Sequence, residues 1–177
     1  TYSLTSLEML NKLLPEPHPL EAMPLRVANP MTADQEYLRP NLRANLLAAL
    51  SANRRHEDSG IRLFELGKVY LPQPNDLPDE PEVVCGILTG PRLERSWQSG
   101  DELFDFFDAK GVVEGLLGQL GAEASFEEYR DESLQPGRQA AIVIAGNRLD
   151  VVGELHPKVS EALDISGPVY LFETSLS

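Results

Sequence analysis

Cysteine is nearly missing from this chain of 177 residues, which holds one, Cys85. A single thiol excludes an internal disulfide and fits a reducing, cytoplasmic setting. Cys85 lies in the apolar run Val83-Val84-Cys85-Gly86-Ile87-Leu88 with no His or Lys beside it. That context predicts a small buried hydrophobe and not a nucleophile. Long apolar runs are missing as well. No stretch approaches the roughly 18 apolar residues of a membrane span, and the first residues do not form a signal-peptide pattern. Cations are scarce: 15 Lys and Arg face 28 Asp and Glu, a net charge of −13. Binding to a phosphate backbone is driven by cation contacts and counterion release, so this balance argues against direct nucleic-acid binding. The densest basic spot, Arg54-Arg55-His56, reads as cations complementing a helix C-terminus. The one tryptophan, Trp97, falls in a polar stretch over 91–101 and is expected to cover an apolar patch.

What is present suffices for a core. Apolar residues make up 42% of the chain, and a chain of this size buries about 70% of its unfolded surface without disulfides. The expectation is one domain over 1–177. It opens on Thr1-Tyr2-Ser3, which suggests a piece of a longer polypeptide.

Periodicity places the elements. Thr5-Ser6-Leu7-Glu8 has the form of a capping box with Thr5 as N-cap and Glu8 reaching back, followed by helix to about Leu13. The proline-rich segment 15–24 is a loop. Residues 25–28 allow one short edge strand, and Thr32 to Gln35 a capped helical turn. From Asn41 to about Arg55, Leu42, Leu46 and Leu50 recur every fourth residue with Leu47 alongside, an amphipathic helix. Strands are expected over 61–71 and 82–89, joined by a long proline-rich connection. A second main helix over 105–120 has Val112, Val113, Leu116, Leu117 and Leu120 as its apolar face and Gly121 beyond its end. Gly111, Gly115 and Gly118 inside it each cost near ~1 kcal/mol relative to alanine, which a close helix–backbone contact would offset. Further strands fall at 124–129, 138–145 and 148–155, the last two around a Gly146-Asn147 hairpin. A short helix runs from Pro157 to Leu163, and a last strand from Pro168 to Glu173. Few helices and hairpin-joined strands predict an α+β fold with a mostly antiparallel sheet flanked by helices.

Local motifs with chemical potential are few. Glu154 and His156, two apart on a strand, share one face and would suit a metal pair, but no third ligand has suitable spacing. Asp105 and Asp108 read as charges meeting a helix dipole. Lys110-Gly111 follows Phe107-Asp108-Ala109, not a glycine-rich turn, and is no phosphate loop. No catalytic, cofactor-binding or metal residue is assigned.

One ordered series of words says more. Asn29-Pro30, Leu38-Arg39-Pro40, the leucine-rich helix and Phe64-Glu65-Leu66-Gly67-Lys68-Val69-Tyr70 come first. Phe104-Asp105-Phe106-Phe107-Asp108-Ala109-Lys110-Gly111, Gln135-Pro136-Gly137-Arg138-Gln139-Ala140, Gly153-Glu154-Leu155-His156-Pro157 and Val169-Tyr170-Leu171-Phe172-Glu173 follow. In this order, over nearly the whole chain, they resemble the β subunit of bacterial phenylalanyl-tRNA synthetase, in the part that copies the class II catalytic fold. The resemblance implies a class II-like antiparallel sheet and a catalytically inactive copy that packs against the catalytic α subunit in an (αβ)2 assembly. It implies ATP and Mg for the whole enzyme, with no cofactor in this domain, and tRNA contact through the whole enzyme but not directly here. The helix from Asn41 and the start of the chain are the expected α-facing surface.

Inactivity is also expected from the residues. An active second motif needs an arginine to meet phosphate charge, and Leu71 stands at that place; the third motif, a Gly-rich turn leading to an arginine, is not found. Lys68 is a poor point-charge substitute. The alternatives are an active ATP-binding adenylation domain and a free-standing binding module of the same fold.

Overall fold

The computed structural model describes residues 1–54, 60–92 and 102–176. Its first turns are set by single polar side chains. Thr5 belongs to a two-residue strand, β1 (Leu4–Thr5), and the cap of α1 (Leu7–Asn11) falls to Ser6, whose hydroxyl accepts from the Met9 N–H at 3.2 Å. The expected capping box does not form: Thr5 is paired with Tyr37 of β2 (Tyr37–Leu38), the cap moves to Ser6, and Met9 at the third helical position has no carboxyl to return the bond. Glu8 pairs with Lys12 one turn on. The helix ends at Asn11, two residues short of expectation.

Residues 25–28 do not form a strand. Flanked by Pro24 and Pro30, they make a single bridge, Arg26 to Tyr37. The turn at Ala33–Gln35 is 3-10, and Thr32 makes no side-chain cap bond there. Asn41 accepts from the Ala44 N–H at the start of α2 (Arg43–Arg54), and Leu42, Leu46, Leu47 and Leu50 are all buried as expected. Arg55, His56 and Trp97 lie outside the described residues. Arg54 does more than complement a dipole: it donates to Thr89 Oγ1 at 3.1 Å.

Six strands build one sheet: β3 (Ile61–Lys68), β4 (Glu82–Thr89), β5 (Ala124–Glu127), β6 (Leu134–Ile144), β7 (Asn147–Leu155) and β8 (Val169–Ser175). Their order is β3-β4-β8-β7-β6-β5, and every pair is antiparallel. The last strand thus closes the middle of the sheet, so its residues from Val169 to Thr174 are buried. Between β4 and β5 runs α3 (Phe106–Gln119), and between β7 and β8 runs α4 (Pro157–Ala162). Two cores result. On one face Leu42, just before α2, and Leu47 and Leu50 within it join Leu10, Ile87, Leu171 and Val159. On the other, Ala109, Val113 and Leu117 of α3 cover Val84, Leu88, Val152 and Phe172.

Several expectations need correcting. The buried stripe of α3 is narrower than the sequence suggests: Val112 and Leu120 are exposed. Side chains built at Gly111, Gly115 and Gly118 would meet nothing within 4 Å, so no close contact offsets these glycines. The β6–β7 hairpin turns on Ala145-Gly146, with φ of 49° and 80°, while Asn147 already pairs with Ile144. Positive φ at both central residues gives the turn whose twist matches the strands. Strand β6 starts at Leu134, four residues early, because Gly137 at φ 76° lets the chain bulge and resume pairing at Gln139.

Candidate functional site

On the α2 face of the sheet, the ends of β3, β4 and β8 open into a cleft of about 850 Å³. Apolar walls come from Leu10, Leu13 and Leu20 on one side and Val69 and Val83 on the other. Its floor is ionic. Arg43, at the first turn of α2, donates through Nε to Glu173 Oε1 at 3.0 Å and through Nη1 to Asp131 Oδ2 at 2.7 Å and Ser133 Oγ at 3.1 Å. The other oxygen of Glu173 accepts from the Leu42 N–H at 2.8 Å, a carboxylate at a helix N-terminus. Asp131 is fixed in turn by the Ser133 N–H and hydroxyl, at 2.9 and 2.6 Å. Burial pushes the Asp131 carboxyl up, but the charge of Arg43 with the bonds from Ser133 and Arg43 outweighs it and holds the group below its ordinary value.

The cleft is acidic. Glu21, Asp79, Asp131, Glu132 and Glu173 line it, against two arginines, Arg43 and Arg130. His18 at its rim bonds the Pro19 carbonyl and, at 2.6 Å, Glu132; these two partners raise its pKa, the backbone carbonyl more. A triphosphate entering here would meet a guanidinium already engaged by two carboxylates and a surplus of negative charge.

The residues singled out in the sequence are mostly elsewhere. Leu71 sits on the cleft wall, its peptide exchanging two bonds with Asp79 at 2.9 and 3.0 Å. Lys68 is half-exposed and pairs with Glu80 at 3.2 Å. Glu154 and His156 do not form a pair on one strand face. β7 ends at Leu155, Glu154 accepts from Arg138 at 2.7 Å, and His156 caps α4 by accepting from the Lys158 N–H. Among the described residues no group of three His, Cys, Asp or Glu is placed to hold a metal ion. Asp105 and Asp108 complete a capping box at α3, and both also bind Arg92, at 3.0 and 2.9 Å. Cys85 is fully buried in β4.

Arg43 and Asp131 belong to no motif in the sequence, and Glu173 and Arg39 stand in motifs that say nothing of their roles. Glu173 was visible only as part of a strand word. Arg39 was visible only as the residue before a proline. Its side chain is 5% exposed and donates to Lys68 O at 2.9 Å and to Glu65 Oε1 at 2.6 Å, pinning β3 to the end of β2. Gly67 makes room for it: a Cβ there would lie 2.4 Å from Arg39 Nη2. Leu38 and Pro40 give no signal of this burial, because the groups that hold Arg39 come from β3, 26 and 29 residues away in sequence.

The family model for the phenylalanyl tRNA synthetase beta chain CLM domain matches residues 1–176. The phenylalanine–tRNA ligase beta subunit of Dehalococcoides mccartyi is 44% identical over 177 residues, all of this chain and 22% of that protein. The corresponding subunit of Bacillus thuringiensis is 36% identical over 179 residues, covering 99% of this chain and again 22% of the relative. Among solved structures, the pyrrolysyl tRNA synthetase PylSc of Desulfitobacterium hafniense superposes with a TM-score of 0.71 at 20% identity, over 99% of this chain and 58% of that one. A second structure of pyrrolysyl-tRNA synthetase from the same organism gives 0.70 at 21%. At such identity the likeness is one of fold, and the fold is that of a class II aminoacyl-tRNA synthetase. With a family model covering the chain almost end to end and relatives above 40% identity, this chain belongs to the phenylalanyl-tRNA synthetase β-chain CLM domain family.

Proposed function

We propose that this chain is a non-catalytic class II-fold domain of a phenylalanine–tRNA ligase β subunit, and that it scaffolds assembly with a catalytic α subunit. The whole enzyme then uses ATP and Mg to charge tRNA with phenylalanine, in the cytoplasm and as an (αβ)2 particle, while this domain holds neither cofactor. The observation that carries the reading is the cleft floor. Its buried guanidinium, Arg43, is spent on Asp131 and Glu173, and Leu71 stands on the wall. Transition-state stabilisation of phosphoryl chemistry requires cations free to meet developing charge. A guanidinium held by two carboxylates offers little, and displacing them would strand buried charges. Asn45 of α2 donates to Tyr2 O and Leu4 O, so the helix from Asn41 and the start of the chain form one continuous surface, the candidate for facing α.

The test counts sites. The assembled enzyme is expected to bind one ATP per αβ pair in equilibrium dialysis, and the β polypeptide alone to show no ATP–pyrophosphate exchange. Two ATP per pair, or exchange by β alone that disappears in Lys68→Ala, would establish the adenylation reading instead.

A further inference from the structure

The outer edge of β3 is built to receive another strand. Along the hairpin, odd-numbered peptides point toward the β4 side: Val69 N–H bonds Pro81 O, and Leu71 and Asp79 exchange two bonds. Even-numbered peptides point outward, as Lys68 O accepts from Arg39 Nε and Tyr70 N–H bonds Arg39 O. Arg39 thereby covers the edge at 68–70. Upstream, the outward N–H and C=O groups of Arg62, Phe64 and Leu66 have no backbone partner among the described residues. The Arg62 side chain is held by Arg92 O at 2.7 Å and by the Phe104 ring, but those of Phe64 and Leu66 are open. Phe64 is 80% exposed and Leu66 56%, on the face where Gly86, the cross-strand neighbour of Phe64, leaves room for the Phe172 ring of the core.

Native edges are usually blunted by prolines, bulges or inward charges. The open part of β3 has no proline, its register with β4 is unbroken from Ile61 to Lys68, and its inward charge, Glu65, is neutralised by Arg39. A second copy is a poor occupant, because two chains each carrying −13 repel. A tethered segment is a better one. The matched part is 22% of the curated relatives, and the start of the described chain lies beside β3. Thr1 Oγ1 donates to Glu65 of β3 at 2.5 Å, whereas the other end leaves from β8, across β4 from this edge. Each further residue spans about 3.3 Å, so a segment joined on the Thr1 side needs only a short connection to reach the edge, and a tether supplies effective concentrations on the order of millimolar.

From these features we infer that Arg62, Phe64 and Leu66 take up an extended strand from another part of the same β polypeptide, adding a seventh strand to the sheet. The incoming strand lays apolar side chains beside Phe64 and Leu66 and supplies the missing backbone partners. The inference is independent of whether the cleft binds ATP.

The experiment uses the full-length β polypeptide, alone and assembled with α. Hydrogen exchange is expected to show the amides of Arg62, Phe64 and Leu66 slowed on the order of 100-fold or more relative to open edge amides, already in β alone. With Phe64 replaced by the photocrosslinker p-benzoylphenylalanine, adducts are expected to map to β residues outside 1–177 of the same polypeptide. Fast exchange at all three amides in both samples would overturn the inference. So would protection that arises only with α, or adducts confined to α, to a second β chain or to residues 1–177.

Discussion

Charges in this molecule are placed where they fasten backbone. Arg43 joins the start of α2 to β8 through Glu173 and to the 131–133 turn through Asp131. Arg39 joins β2 to β3 through Lys68 O and Glu65. Removing one partner of such a buried pair leaves an uncompensated charge, which is more costly than the intact pair is favourable. The same geometry sets an acid sensitivity. The Asp131 carboxyl is held below its ordinary value in the folded chain, so its contribution is complete above the unfolded value and is lost as pH falls through the lower folded one. Chemical denaturation between pH 5 and pH 2 is expected to show stability falling with acid, with a smaller fall in Asp131→Asn. An unchanged pH slope in that variant would remove Asp131 from the account.

Helix α3 illustrates how an element is fixed at its ends more than along its length. Asp105 and Asp108 exchange caps at its start, and Gly121 at φ 77° ends it. Between them only Ala109, Val113 and Leu117 are buried, one residue per turn. The three internal glycines face open space. Replacing Gly115 with alanine therefore relieves a helix penalty without a clash, and Gly115→Ala is expected to stabilise the fold by roughly 0.5–1 kcal/mol. A loss of stability in urea unfolding of the β polypeptide would mean that this side of α3 is occupied in the folded subunit. The leucine pattern of α2 was legible because a one-sided burial repeats at the period of the element, whereas in β3 the exposed residues include Phe64 and Leu66 and the inward ones Glu65, so hydrophobicity there does not spell the buried face. The stripe on α3 was overread, since five apolar residues at helical spacing do not reveal how much sheet lies beneath them.

At the scale of the molecule, one antiparallel sheet separates two cores, and β8 runs through its centre. Leu47 is fully buried where α2 meets the sheet. Leu47→Ala is expected to cost about 2–5 kcal/mol, read as a lowered urea midpoint at unchanged slope. A loss below about 1 kcal/mol would show that the α2 core collapses around the gap or is not cooperative with the sheet.

By itself the sequence determined the α+β class, the leucine face of α2, the β3–β4 hairpin, the buried Cys85 and, through its ordered words, the family. These are local or periodic properties, written in runs of neighbouring residues. The insertion of β8 between β4 and β7, the union of Arg43, Asp131 and Glu173 and the burial of Arg39 beside Gly67 were decided only by tertiary structure. Arg43 and Glu173 are 130 residues apart in sequence. An antiparallel sheet whose order departs from chain order brings such residues together through long-range pairing, and no local spacing encodes which carboxylate a given guanidinium will meet.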